Sequence, residues 1–126
     1  MEAASFRKPK LHFDVVANTH HVTFDDGKNQ RRNVPWMHYI QARWDHTNLD
    51  TITIEIGECV VTILGHNLGA LFLAVEERTL ARIRALPLLM QDRDREHDSF
   101  ATEIRFTSVP KKSSANPSGQ SELAIE

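Results

Sequence analysis

The chain has 126 residues, with 15 lysines and arginines against 17 aspartates and glutamates, seven histidines, one cysteine and 40% hydrophobic residues. That length bounds it to one small domain whose apolar core can form without disulfides or a structural metal, and the lone Cys59 excludes an intramolecular bridge and a four-cysteine zinc site. It contains no apolar run of about 18 residues to span a bilayer, its start, MEAASFRKPK, has no signal-peptide core, and a net charge of −2 exerts no global pull on nucleic acid or anionic membrane. A cytoplasmic protein with no membrane association is therefore expected.

Residues 1–9 carry no pattern and are expected to be flexible, residues 10–106 to form a single α+β domain, and residues 107–126, TSVPKKSSANPSGQSELAIE, to be a disordered tail with too few apolar groups to offset ordering. In the domain, Leu11, Phe13 and Val15 alternate with His12 and Asp14 as a strand. Residues 20–24 and 29–34 read as a hairpin about an Asp-Gly turn at Asp25-Asp26-Gly27-Lys28. Pro35 can open a single helical turn through Trp36, Met37 and His38, and Ile40, Ala42 and Trp44 then fall on one face of a strand over 39–45.

The clearest signal is TITIEIGECVVTILG. Ile52, Ile54 and Ile56 alternate with Thr51, Thr53 and Glu55, and Gly57-Glu58 suits a two-residue turn. That turn sets Ile56 against Cys59, Ile54 against Val61 and Ile52 against Ile63, all on one face, since a slip of one residue would turn every isoleucine outward. Asn67 is a candidate N-cap for a helix over 68–78 whose Leu68, Leu71, Phe72 and Val75 make an apolar stripe. Residues 79–86 are readable as a continued helix ending at Pro87, the reading adopted, or as a strand in which Ala81, Ile83 and Ala85 alternate with Arg82 and Arg84. The charged run to Asp98 reads as a solvated loop, and Phe100, Thr102, Ile104 and Phe106 mark a last strand. The expected fold is α+β: a mainly antiparallel sheet of five to six strands with one principal helix packed on one face.

Chemistry-bearing motifs are sparse. The histidines offer no i, i+4 helical pair and no H-E-x-x-H, so they read as local hydrogen-bonding groups and no metal or other cofactor is called for. Cys59 is expected on the core face as a small apolar group. Asp92, Asp94, Glu96 and Asp98 lack the spacing of a calcium loop. With no nucleophile motif and no Walker or dinucleotide glycine pattern, the expectation leans away from catalysis. Gly65-His66-Asn67-Leu68-Gly69 follows a strand and opens a helix, a place where Gly65, His66, Asn67 and Gly69 could meet an anion or small ligand, although turn formation, capping and close packing account for the same residues.

Two larger surfaces remain. Residues 1–46 hold seven basic and five acidic groups, and Lys28, Arg31, Arg32 and Arg43 interleave with aromatic rings, as on a single-stranded nucleic-acid platform. Trp36, Met37, Tyr39 and Trp44 have the composition of an interface core. An open sheet must also leave two edges, and residues 20–24 and 100–106 show few defences against edge pairing. The first expectation for function is a non-catalytic accessory or assembly protein acting through such an edge and that aromatic surface, with a protein partner or a second copy of itself. Nucleic-acid binding is the alternative, and the ligand site at the helix start a weaker one.

Overall fold

A computed structural model describes residues 10–91 and 97–109. Its strands are β1 (Phe13–Val15), β2 (His21–Asp25), β3 (Arg31–Pro35), β4 (Tyr39–Arg43), β5 (Thr51–Ile56), β6 (Cys59–His66), β7 (Leu80–Arg84) and β8 (Phe100–Ser108), with helix α1 (Gly69–Glu76) between β6 and β7. The fold is α+β with one helix and mostly antiparallel pairing. The strands are not gathered in one sheet of five or six: they form two sheets of four, β1-β7-β2-β3 and β4-β5-β6-β8. In the first sheet β2 and β7 run parallel, which makes it mixed.

The β5–β6 hairpin has the register its turn chemistry demands: Ile56 faces Cys59, Ile54 faces Val61 and Ile52 faces Ile63. Gly57 takes φ +62° while Glu58 stays at negative φ, the pattern of a type II′ turn. All six side chains are buried. They meet Val22, Phe24, Leu80 and Ile83 of the first sheet and Leu71, Ala74 and Val75 of α1 in one continuous core. Residues Trp36–His38 form a single 3-10 turn that carries the chain from β3 into β4, and bridges from Leu11 to Ser99 and from Ala85 to Ala101 join the sheets at the start of β8.

Three expectations are corrected. Helix α1 stops at Glu76 and does not run on to Pro87, because Arg78 at φ +53° closes it. The Arg78 amide bonds the Val75 carbonyl and the Thr79 amide the Ala74 carbonyl, the hydrogen-bond pair of a Schellman end. Residues 80–84 then form β7: a helix would bury Arg82, whereas the strand leaves Arg82 and Arg84 exposed and buries Ile83. The segment around residues 20–24 is not an open edge either, since β2 lies between β3 and β7. Finally, β8 extends to Ser108 and Val109 donates to the Glu58 carbonyl, so Thr107 and Ser108 belong to the sheet: pairing with Val60 and Cys59 overrides their polar composition. Residues 1–9 and the remainder of the tail lie outside the described residues, as do Asp92, Asp94 and Glu96.

Candidate functional site

The edges of the two sheets differ in how they are closed. β1 is three residues long and irregular in register. β3 carries Arg31, Arg32 and Pro35, and its Arg32 guanidinium reaches into the second sheet, donating to Cys59 Sγ at 3.3 Å and lying 4.7 Å above the Phe106 ring. The start of β8 is bridged to Ala85, with Leu86 donating to Ala101, and the 26–30 turn and Pro87 flank its later residues. Short length, charge, proline and cover are the usual protections of an edge. β4 pairs with β5 on one side, and among the described residues no strand pairs with the other.

Apolar groups collect along this open strand. Met37 is 86% exposed just before it, and Ile40 is 57% exposed at the register shift between Tyr39 and Gln41. Trp44 stands half-buried beyond its end, donating its indole N–H to the Leu49 carbonyl at 3.0 Å and meeting the Phe72 ring at 5.5 Å between centroids. Leu49, and Leu73 of α1, are exposed as well. Tyr39 turns inward, edge-on to Trp36, and burial, aided by the Glu76 charge, raises its pKa above the ordinary phenol value. Trp36 is in the core, 5% exposed, with its indole N–H on the Leu80 carbonyl at 2.9 Å. Of the four residues expected on the interaction surface, Met37 alone is largely exposed, Tyr39 and Trp44 line its inner margin, and Trp36 supports it from below.

The four cations expected on a nucleic-acid platform do not share a face. Arg43 lies on the outer face of the second sheet opposite Thr53, and Arg32 is committed to Cys59 and Phe106. Lys28 and Arg31 remain together at the β2–β3 turn. There Asp26 organises the loop: one of its oxygens accepts from the backbone amides of Lys28, Asn29 and Gln30, and these bonds hold its carboxyl below the usual aspartate range. Arg84, which the helical reading of residues 79–86 hid, joins this end of the molecule. The alternation of Arg82 and Arg84 with Ala81, Ile83 and Ala85 was the signal that could have found it.

The Gly65 to Gly69 loop is interlocked with the start of β8. A side chain on Gly65 would run into the Phe100 carbonyl and come within 2.9 Å of Ala101 Cα, so glycine is required by close approach of the two strands. Asn67 does not cap the helix; it sits at φ +53° and donates its side-chain amide to the Asp98 carbonyl at 3.1 Å, and Leu68 occupies the N-cap position without a side-chain cap. A Cβ on Gly69 would make ordinary contact with Trp44 at 3.6 Å. The His66 and His12 rings both lie against Phe100, at 5.7 and 5.9 Å between centroids.

Beside them, the fully buried Asp98 carboxylate accepts the Lys10 amide at 2.8 Å and meets His12 Nε2 at 2.9 Å. Sequence reasoning did not bring His12 and Asp98 together, because 86 positions separate them. Among the described residues no group of three His, Cys, Asp or Glu side chains is placed to hold a metal ion. The contacts of this cluster are those of a structural interlock.

Among the described residues these features define a two-sheet α+β protein with one edge left unpaired and uncovered and with cations gathered at the β2–β3 turn. No protein-family model, no curated protein and no solved structure matches the chain. Among the described residues no helix is long and apolar enough to cross a membrane.

Proposed function

We propose that this is a non-catalytic assembly protein that associates with a second copy of itself by pairing β4 with β4 across a two-fold axis. The observation that carries this reading is the unpaired side of β4, bordered by exposed Met37 and Ile40. An antiparallel edge is its own complement, since rotating one copy by a half-turn brings each free N–H opposite a free C=O. A second copy is thus a partner of matching chemistry without any additional motif. Pairing would merge two four-stranded sheets into one continuous sheet of eight.

Five paired residues supply few hydrogen bonds, and each contributes only about 1 kcal/mol net. Most of the association energy must then come from apolar area, for which Met37 and Ile40 at the strand are the available groups. Sedimentation velocity over a concentration series tests the proposal. The expected result is a monomer–dimer equilibrium that Ile40→Lys weakens by at least about ten-fold, with an unchanged unfolding midpoint at dilutions where both chains are monomeric, because Ile40 is exposed and outside the core. A wild-type chain that stays monomeric into the high micromolar range would overturn it.

A further inference from the structure

We infer that the outer face of the β1-β7-β2-β3 sheet, at the β2–β3 turn, is a binding site for a compact di- or triphosphate group. Asp25 is directly opposite Arg31 of β3 and Arg84 of β7, so these three side chains form one cross-strand row on one face. Lys28 stands at the end of that row, on the turn. Together with the 27–30 turn they line a wide-open concavity of about 600 Å³, which suits a small, charged group held at the surface.

The charge there is unbalanced in one direction. Three cations, Lys28, Arg31 and Arg84, stand with two turn carboxylates, Asp25 and Asp26, and the Glu103 carboxylate that Lys28 also feels is paired with Arg105. Asp25 is already engaged: Oδ1 accepts the Gly27 amide at 2.8 Å and Oδ2 lies 4.0 Å from Arg84 Nε. The second carboxylate of the turn, Asp26, is directed onto three backbone amides. Among the described residues Lys28 and Arg31 take part in no ion pair. A multiply charged anion would give both a direct ion-pair partner, and guanidinium groups match phosphate oxygens in pairs.

The turn is also held in place. Ala85 donates to the Asp25 carbonyl at 3.0 Å, and Gly27, at φ +76°, lies so close to Ala85 that a side chain would meet its carbonyl oxygen at 3.1 Å. Little ordering of the backbone is then needed on binding. Among the described residues no aromatic ring lines the concavity, so none of them would read a base, and a phosphate group alone is the recognised element. The proposal is independent of the β4 edge, which lies in the other sheet.

Calorimetric titration of the full chain with tripolyphosphate, ATP and inorganic phosphate at low salt tests it. Tripolyphosphate and ATP are expected to bind alike, inorganic phosphate about ten-fold more weakly or worse, and all to weaken as salt rises. The double variant Lys28→Ala, Arg31→Ala and the single variant Arg84→Ala should each lose about ten-fold in affinity or more at an unchanged thermal midpoint, and Ile40→Lys should bind as wild type. Absence of binding at millimolar tripolyphosphate, full affinity in both basic variants, or a marked preference for ATP over tripolyphosphate would overturn the site. A single-stranded oligonucleotide that binds more tightly than tripolyphosphate would overturn it in favour of a nucleic-acid strand.

Discussion

Asp98 and Ser99, adjacent in sequence, occupy buried positions with opposite hydrogen-bonding outcomes. Asp98 is fully buried and serves the Lys10 amide, the His12 ring and, through its carbonyl, Asn67. Ser99 is also buried, yet its Oγ has no hydrogen-bond partner among the described residues. Removing a buried carboxylate strands the donors that faced it, so Asp98→Ala is expected to lower stability by about 3 kcal/mol in urea unfolding. Ser99→Ala deletes a hydroxyl that gains nothing from its burial, and should raise stability by about 1 kcal/mol. A loss at Ser99 as large as that at Asp98 would show that the hydroxyl has a partner after all. Neither residue was legible as structural, because a carboxylate at the end of a charged run looks solvated until the fold brings the segment around Lys10 against it.

At the scale of elements, the hairpin from Thr51 to Leu64 was legible, since turn type and side-chain alternation are local and agree, whereas the continuation of β6 through Gly65 and His66 against β8 was read as a turn. The segment from residue 79 to 86 was not. Its composition favours helix, and what decides it is a chain reversal at Arg78, a non-glycine residue in the left-handed region. Such a residue is strained there relative to glycine, so Arg78→Gly is expected to raise stability by about 0.5–1 kcal/mol, offset in part by the greater freedom of glycine in the unfolded chain. Thermal unfolding measures it, and a clear destabilisation would mean that the Arg78 side chain makes contacts worth more than the strain. The same reversal exposes Arg82 and Arg84 on a strand, and thereby assembles the basic face that a helix would have dispersed.

For the whole molecule, the two sheets share one core but not one degree of protection. β5 and β6 are paired on both sides and contribute six side chains to the buried cluster, so their amides should exchange with solvent only through global unfolding. Amides of β4 directed away from β5 have no strand partner among the described residues and should exchange fastest among the strands at low concentration. They are expected to slow as concentration rises if copies pair through this edge; exchange that is independent of concentration would separate these amides from any self-association. β2 and β7, with residues 26–79 between them in the chain, pair in parallel because both cover the same isoleucine face.

What the sequence determined by itself were the features carried by neighbours along the chain: the strand alternation, the Gly57 turn with its register, the apolar stripe of α1 and the burial of Cys59. Each depends on contacts or backbone angles spanning a few residues, so the residues alone specify it. The tertiary structure decided the division into two sheets, which edge stays open, the burial of Trp36, the pairing of His12 with Asp98 and the gathering of Lys28, Arg31 and Arg84. Those depend on which distant surfaces exclude water from each other, and many arrangements of the same local elements would bury nearly the same apolar area.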